Sequence, residues 1–414
     1  MIRFSLFSVF FLIFSVHPAQ ATSSYSLSLQ PRRISLPTDS NTRQRILETT
    51  AKFSTTYSMA LIVSLPVGTP AQEQKMVLDT GSQLSWVQCE KLKPTQTGGF
   101  SPSLPGSFNP TVSSSFSPLS CDAALCKPHV PDFSIPTQCD TKNLCYYSYF
   151  YADGTLAEGN LVTEKLALSP SPLILGCSKG SSDDNGILGM NTGRLSVLSQ
   201  MNITRFSYCV PRNHSAGGAF IIGNNTNANF TYVPLLTYPD AIRMPNLDPF
   251  AYTVPMKGIR VGATMLNISA GYFRANAGGS GQTIMDSGSE LTYLVDEAYE
   301  KVREEVGSRV GPMMKRGFSY GGVADMCFDG AVAAVAGDRI GGMGLVLEGA
   351  EIAVGKDSVL VDVGEGVRCV AIGRSSLIGS AGNIIGNVHQ RDLWVEFDVG
   401  GGRVGFAMAD CSKS

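Results

Sequence analysis

The sequence predicts a mostly-β protein built from two related lobes. A twelve-residue phrase occurs twice: Lys75-Met76-Val77-Leu78-Asp79-Thr80-Gly81-Ser82-Gln83-Leu84-Ser85-Trp86 and Gln282-Thr283-Ile284-Met285-Asp286-Ser287-Gly288-Ser289-Glu290-Leu291-Thr292-Tyr293. The copies lie about half the chain apart, as a duplicated lobe would leave them. At 414 residues the chain has room for two ordinary domains. Its 44 glycines, 22 prolines and low total charge favour many short strands and turns.

The elements follow in order. Residues 1–21 read as a signal peptide: Arg3, an apolar run from Phe4 to Val16, then Ala19 and Ala21 as the small pair before cleavage. The apolar run is short of the roughly 20 residues that span a bilayer, and no later run is long enough, so no membrane association is expected after cleavage. Residues 22–52 are polar, with Pro31, Arg32, Arg33 and Pro37, and read as a short pro-segment or linker with little core. Residues 53–240 form the first lobe. Its opening is strand, turn, strand, with Tyr57 to Leu65, the turn Pro66-Val67-Gly68-Thr69-Pro70, and the run into Asp79. Residues 89–145 form a Ser/Pro-rich, cysteine-bearing insert, and segments of that length are usually functional or disulfide-bound. Strands are expected from Tyr146 to Tyr151 and from Asn160 to Leu168, with a hairpin tip at Ala152-Asp153-Gly154-Thr155.

Gly186-Ile187-Leu188-Gly189 and Asn383-Ile384-Ile385-Gly386 follow their respective aspartates at similar distances, a second sign of duplication. The crossing between lobes falls near 236–250, and residues 241–414 form the second lobe. Asp296 opens a helix that runs to about Val310, with acidic residues in its first turn. Gly400 to Gly405 spells GxGxxG, but both flanks read as strands, so a hairpin turn is expected and not a dinucleotide loop.

Composition narrows the function classes. The formal net charge is −2 and no basic block occurs, which argues against nucleic acid as a partner. Ten cysteines follow the signal segment, enough for five disulfides in an oxidising compartment. Five glycosylation sequons start at Asn202, Asn213, Asn224, Asn229 and Asn267. No CxxC pair occurs, and only His129, His214 and His389 remain beyond the signal, so neither a metal nor a cofactor is expected.

The chemistry lies in the repeated phrase. Gly81 and Gly288 allow a backbone amide to approach each carboxylate closely. The hydroxyls of Thr80, Ser82, Ser287 and Ser289 can orient the carboxylates or tie the loops together. Two carboxylates held together share a proton, so one serves as base and the other as acid.

With these residues in view, the chain resembles the pepsin-type (family A1) aspartic proteases. Within them it is most similar to the plant atypical, nepenthesin-like branch and its promotion-of-cell-survival group. The matching pieces are Leu65 to Pro70, both aspartate phrases, Gly176-Cys177, Gly186 to Met190, Phe206-Ser207-Tyr208-Cys209, and Asn383 to Phe406 with Cys411. The resemblance implies a bilobal, mostly-β, pepsin-like fold with the active-site cleft between lobes. It implies an aspartic endopeptidase active at acidic pH and sensitive to pepstatin, acting on proteins or peptides, monomeric, and secreted to the apoplast or held in the ER or vacuole. The alternative is a catalytically silent binding or inhibitor protein on the same scaffold.

By resemblance Asp79 and Asp286 are the catalytic pair, with Ser82 and Ser289 orienting their outer oxygens. Tyr149 is the flap tyrosine and Trp86 its support. The implied disulfides are Cys89–Cys177, Cys121–Cys145, Cys126–Cys139, Cys209–Cys411 and Cys327–Cys369. Departures from the pattern are Phe150 where glycine usually follows the flap tyrosine, Ser287 in place of threonine, a short pro-segment, and the lack of two further insert cysteines.

Overall fold

A computed structural model describes residues 25–35, 52–53, 57–89, 92–94, 100–102, 106–126, 135–151, 156–179, 185–213 and 216–413. The expected signal segment and the expected hairpin tip at 152–155 lie outside the described residues.

The chain is mostly β, and one large core cluster holds residues of both halves, with a smaller cluster around Leu84 and Trp86 and another around Leu291. A large sheet builds the first lobe and the seam. Its path runs Thr231–Pro234, Arg403–Met408, Leu393–Asp398, Arg205–Cys209, Gly218–Ile222, Tyr25–Ser35, Tyr57–Val67, Gln72–Asp79, Gly186–Gly189, Trp86–Gln88, Leu173–Ser178, Leu156–Glu164, Cys145–Phe150 and Thr137–Cys139. The last strands of the chain therefore join the first lobe's sheet through Arg205–Cys209. The hairpin Leu393–Asp398/Arg403–Met408 confirms that the glycine run 400–402 is a turn.

The second lobe carries two four-stranded sheets and a three-stranded one. The helix Asp296–Val310 forms where expected and buries Ala298, Tyr299, Val302, Val306 and Val310 as one stripe. A second helix, Gly330–Ile340, buries Ala333, Ala336 and Ile340 and ends on Gly341 in the left-handed conformation.

The duplication is visible as pairing. Met76 to Asp79 runs parallel to Gly186–Gly189, and Thr283–Met285 runs parallel to Asn383–Ile385. Trp86–Gln88 runs parallel to Gly176 to Ser178, and Thr292–Leu294 runs parallel to Ile372–Arg374. An antiparallel bridge then links Trp86 to Ile187 and Tyr293 to Ile384. The second apolar-Gly repeat is thus the strand lying beside each aspartate strand.

One segment differs from expectation. Residues 25–35, read as polar linker, form an eleven-residue strand between Gly218–Ile222 and Tyr57–Val67. Its exposure alternates from Ser26 to Arg32, with Leu29 and Pro31 buried. That alternation puts one face on the core, and the intervening serines on the other face gave the segment its polar composition.

Five disulfides join Cys89 to Cys177, Cys121 to Cys139, Cys126 to Cys145, Cys209 to Cys411 and Cys327 to Cys369. Two of them correct the expected nested pairing of the insert. Cys139 and Cys145 lie opposite each other in an antiparallel pair. The sulfurs of Cys121 and Cys126 approach to 3.8 Å, so all four sulfurs meet in one cluster. Within such a cluster chain order does not select partners, and the crossed pairing places Cys126 on buried Cys145. The asparagines of all five sequons are exposed.

Candidate active site

Each letter of the repeated phrase has a structural reason. The apolar run is the buried strand that delivers the aspartate. The leucines at 84 and 291 are buried in the lobe cores. The hydroxyl next in line accepts from the glycine of the neighbouring strand: Gly189 N donates to Ser85 Oγ at 2.9 Å, and Gly386 N donates to Thr292 Oγ1 at 3.2 Å. Those glycines are forced by close approach. A Cβ on Gly189 would lie 2.6 Å from the Gln83 carbonyl oxygen, and one on Gly386 would lie 2.1 Å from that of Leu291.

The two aspartates meet with near-mirror support. Gly81 N donates to Asp79 Oδ1 at 2.8 Å, and Gly288 N donates to Asp286 Oδ1 at 2.8 Å. Ser82 Oγ donates to Asp79 Oδ2, and Ser289 Oγ donates to Asp286 Oδ2 at 2.6 Å. The loops are close enough that a Cβ on Gly288 would stand 2.3 Å from Asp79 Oδ1, and one on Gly81 would stand 2.8 Å from Asp286 Oδ1. Both carboxylates are buried, at 5% and 8% exposure.

Thr80 and Ser287 lock the loops to each other. Thr80 N donates to Ser287 Oγ at 3.1 Å, and Ser287 N donates to Thr80 Oγ1 at 2.9 Å. Their hydroxyls reach across in turn, Thr80 Oγ1 to Met285 O at 3.2 Å and Ser287 Oγ to Leu78 O at 2.7 Å. Four buried hydrogen bonds thereby fix one lobe's aspartate relative to the other's. The serine variant in the second phrase keeps every bond of this lock that its hydroxyl can make.

Burial, then the negative charge of Asp286, push the Asp79 carboxyl well above its ordinary value of 3.8, against the lowering effect of Ser82 and Gly81. The pair therefore retains a proton that an isolated aspartate would have lost. The consequence for stability has a definite sign. The folded state binds this proton more tightly than the unfolded chain, so its contribution to stability is fully present below 3.8 and is lost as pH rises to about 8. Chemical denaturation of wild type and Asp79→Asn across pH 4 to 8, about the window in which such a carboxylate titrates, should show a downward slope in wild type that flattens in the variant.

The tyrosine on the flap strand corrects the sequence reading. Trp86 is fully buried, and its Nε1 donates to Tyr151 Oη at 2.8 Å; its partner is Tyr151 and not Tyr149. Tyr147, Tyr149 and Tyr151 alternate onto one face of the Cys145–Phe150 strand and its extension, because side chains on a strand repeat with period two. Tyr149 and Tyr151 meet edge to face at 4.8 Å. Phe150 lies on the opposite face and is 71% exposed. The role of tryptophan-supported tyrosine passes to Tyr151, and the residue following it is Ala152. The signal was available, since Tyr151 directly precedes the expected hairpin tip.

Tyr151→Phe should lower stability by about 1–3 kcal/mol, because it leaves the buried Trp86 N–H without its acceptor. Phe150→Ala should change it by less than about 0.5 kcal/mol, as surface substitutions do. Chemical denaturation compares the two.

Two models of the xylanase inhibitor family match this chain, the N-terminal one over residues 61–224 and the C-terminal one over 251–408. Aspartic proteinase PCS1 of Arabidopsis thaliana is 34% identical over 396 residues, covering 86% of this chain and 83% of that protein. The chain belongs to the plant aspartic proteinase family. Aspartic proteinase nepenthesin-1 of Nepenthes gracilis, 33% identical, covers 85% of this chain and 78% of its own length. Among solved structures, conglutin gamma from lupine seeds superposes with a TM-score of 0.61 at 16% identity, over 93% of this chain and 95% of its own. The basic 7S globulin from soybean gives 0.58 at 16% identity, over 93% and 97%. At that identity the two globulins speak for the fold alone, which is the pepsin-like bilobal one. Among the described residues no group of His, Cys, Asp and Glu is arranged to hold a metal ion, and no helix is long and apolar enough to cross a membrane.

Proposed function

We propose that this chain is an aspartic endopeptidase that hydrolyses peptide bonds with water, using Asp79 and Asp286 as a single acid–base pair. The observation that carries the reading is the matched cradle: each carboxylate is held by one glycine N–H and one serine O–H, and the loops are locked by Thr80 and Ser287. One carboxylate takes a proton from water as the oxygen attacks the peptide carbon. The other, protonated, donates to the carbonyl oxygen. The tetrahedral intermediate then collapses as its nitrogen takes up a proton and the amine leaves. Tyr151, braced by Trp86, covers the pair from the flap strand. Burial, then the charge of Asp79, holds its hydroxyl protonated.

Acid operation follows from the shared proton, and sensitivity to pepstatin from the paired carboxylates. The five disulfides and exposed sequons support passage through the secretory pathway, with the apoplast as destination, and the chain acts as a monomer on protein or peptide substrates. The name of the matched family models keeps the alternative in play, a silent inhibitor or binding protein on this scaffold. Purified, disulfide-intact protein incubated with a peptide library between about pH 3 and 7, where a carboxylate pair shares a proton, separates the two. Pepstatin-blocked cleavage is expected. Folded protein that cuts no member of the library belongs to the silent reading.

A further inference from the structure

The two halves of the site differ in how the aspartate backbone is held. In the first lobe Gly189 is followed by Met190-Asn191. Met190 N donates to Asp79 O at 2.8 Å, and Asn191 N donates to Ser82 O at 3.1 Å. In the second lobe Gly386 is followed at once by Asn387, whose N donates to Ser289 O at 2.8 Å. The second copy is one residue shorter here, and the Asp286 carbonyl accepts from a side chain instead, Gln390 Nε2 at 3.3 Å.

Gln390 is fully buried at the end of the short turn Asn387–Gln390. Its Nε2 also donates to Ile385 O at 2.7 Å, and that carbonyl accepts from Asp286 N at 3.1 Å. One amide group thus closes around both backbone polar groups of Asp286. On its other side, Gln390 Oε1 accepts from Tyr208 Oη. Two carbonyls can only accept, so the end facing them is the nitrogen, and the tyrosine donates to the oxygen. Burial, then the charge of Asp286, holds the Tyr208 hydroxyl protonated and able to donate. Tyr208 is itself fully buried, opposite Phe220 and Val395 in the large sheet. The anchor therefore belongs to the sheet at the seam and lies outside the second aspartate loop.

We infer that Gln390 is a positioning residue for Asp286, oriented by Tyr208, and fixes the backbone from which the second carboxylate reaches the first. The inference rests on the peptidase reading. Gly288 and Ser289 orient the carboxylate itself, whereas Gln390 acts through the main chain and takes no part in proton transfer.

Gln390→Met keeps the length of the side chain and removes both donors and the acceptor. On a single good peptide it should lower kcat about ten- to a hundredfold, the scale of a small displacement of reacting groups, with KM near wild type. A carboxylate that drifts from its partner also repels it less, so the upper limb of the pH profile should move to lower pH. Tyr208→Phe should act in the same direction alone and add nothing to the kcat loss of Gln390→Met. Val306→Ala, in the buried stripe of the helix Asp296–Val310, should lower stability and leave kcat and the profile unchanged. Gln390→Met with the wild-type kcat and upper limb overturns the inference. So does an equal cost of Tyr208→Phe in both backgrounds, or the same loss and shift in Val306→Ala. If Gln390→Met does not accumulate, Tyr208→Phe alone decides, because it removes one hydroxyl and keeps the ring; a wild-type kcat and profile then overturn the inference. Cleavage indifferent to these substitutions sinks this inference alone, whereas folded wild type that cleaves nothing sinks the peptidase reading and this role with it.

Discussion

Asp79→Asn and Asp286→Asn should each lower kcat/KM at least about a thousandfold, the scale of losing a positioned acid–base group. The amide retains the Oδ1 acceptor for Gly81 N or Gly288 N, so the loop geometry survives. The serine hydroxyl beside each Oδ2 rotates to suit either partner. The amide cannot take a proton from water, and it cannot hold the proton that burial and the neighbouring charge impose on Asp79. Secretion, disulfide content and the thermal midpoint at acid pH, where Asp79 keeps its proton, should therefore stay near wild type while turnover vanishes. A variant that keeps more than about a tenth of wild-type activity, well above what loss of an acid–base group allows, would remove the pair from the reaction.

A chain synthesised without residues 25–35 should fail to accumulate as folded protein. The strand sits in the interior of the large sheet, in register with Gly218–Ile222 over Tyr25 to Leu29 and with Tyr57–Val67 over Leu29 to Ser35. Removing it bares facing edges of two strands at once, and unpaired buried backbone groups are costly. It also takes Leu29 from the core that packs Leu61, Val63 and Phe220. Each unsatisfied buried group costs about 1–3 kcal/mol, against a total stability of roughly 5–15 kcal/mol for a domain. Expression yield and resistance to limited proteolysis measure the effect. Full accumulation of the shortened chain would show that the sheet closes without this strand.

The aspartate loops were legible because their chemistry is local and stated twice. Asp-Thr/Ser-Gly-Ser needs a glycine for close approach and hydroxyls for hydrogen bonding, and both copies carry them in the same order. The apolar-Gly repeat was legible as duplication. Its reason, a chain crossing that leaves Gly189 and Gly386 no room for a side chain, appears only in three dimensions. Period two puts Tyr149 and Tyr151 on one face; the place of Tyr151 just before the expected hairpin tip is the sequence signal that separates them, and the hydrogen bond from Trp86 agrees with it. The insert disulfides were misread because pairing within a cluster of four sulfurs is set by approach and not by order. The strand 25–35 was hidden by its serines and arginines, although Leu27, Leu29 and Pro31 carried the alternation.

The central claim is that Asp79 and Asp286 act as one proton-sharing pair, and the pH dependence of kcat/KM on a single good peptide tests it most directly. The account predicts a bell whose upper limb falls no higher than about 8, the raised value of the Asp79 carboxyl. The lower limb marks the first deprotonation of the pair, and the upper limb marks loss of the retained proton as pH rises past the raised carboxyl of Asp79. A profile that is flat through the acid range, or one that only climbs towards alkaline pH, would contradict it.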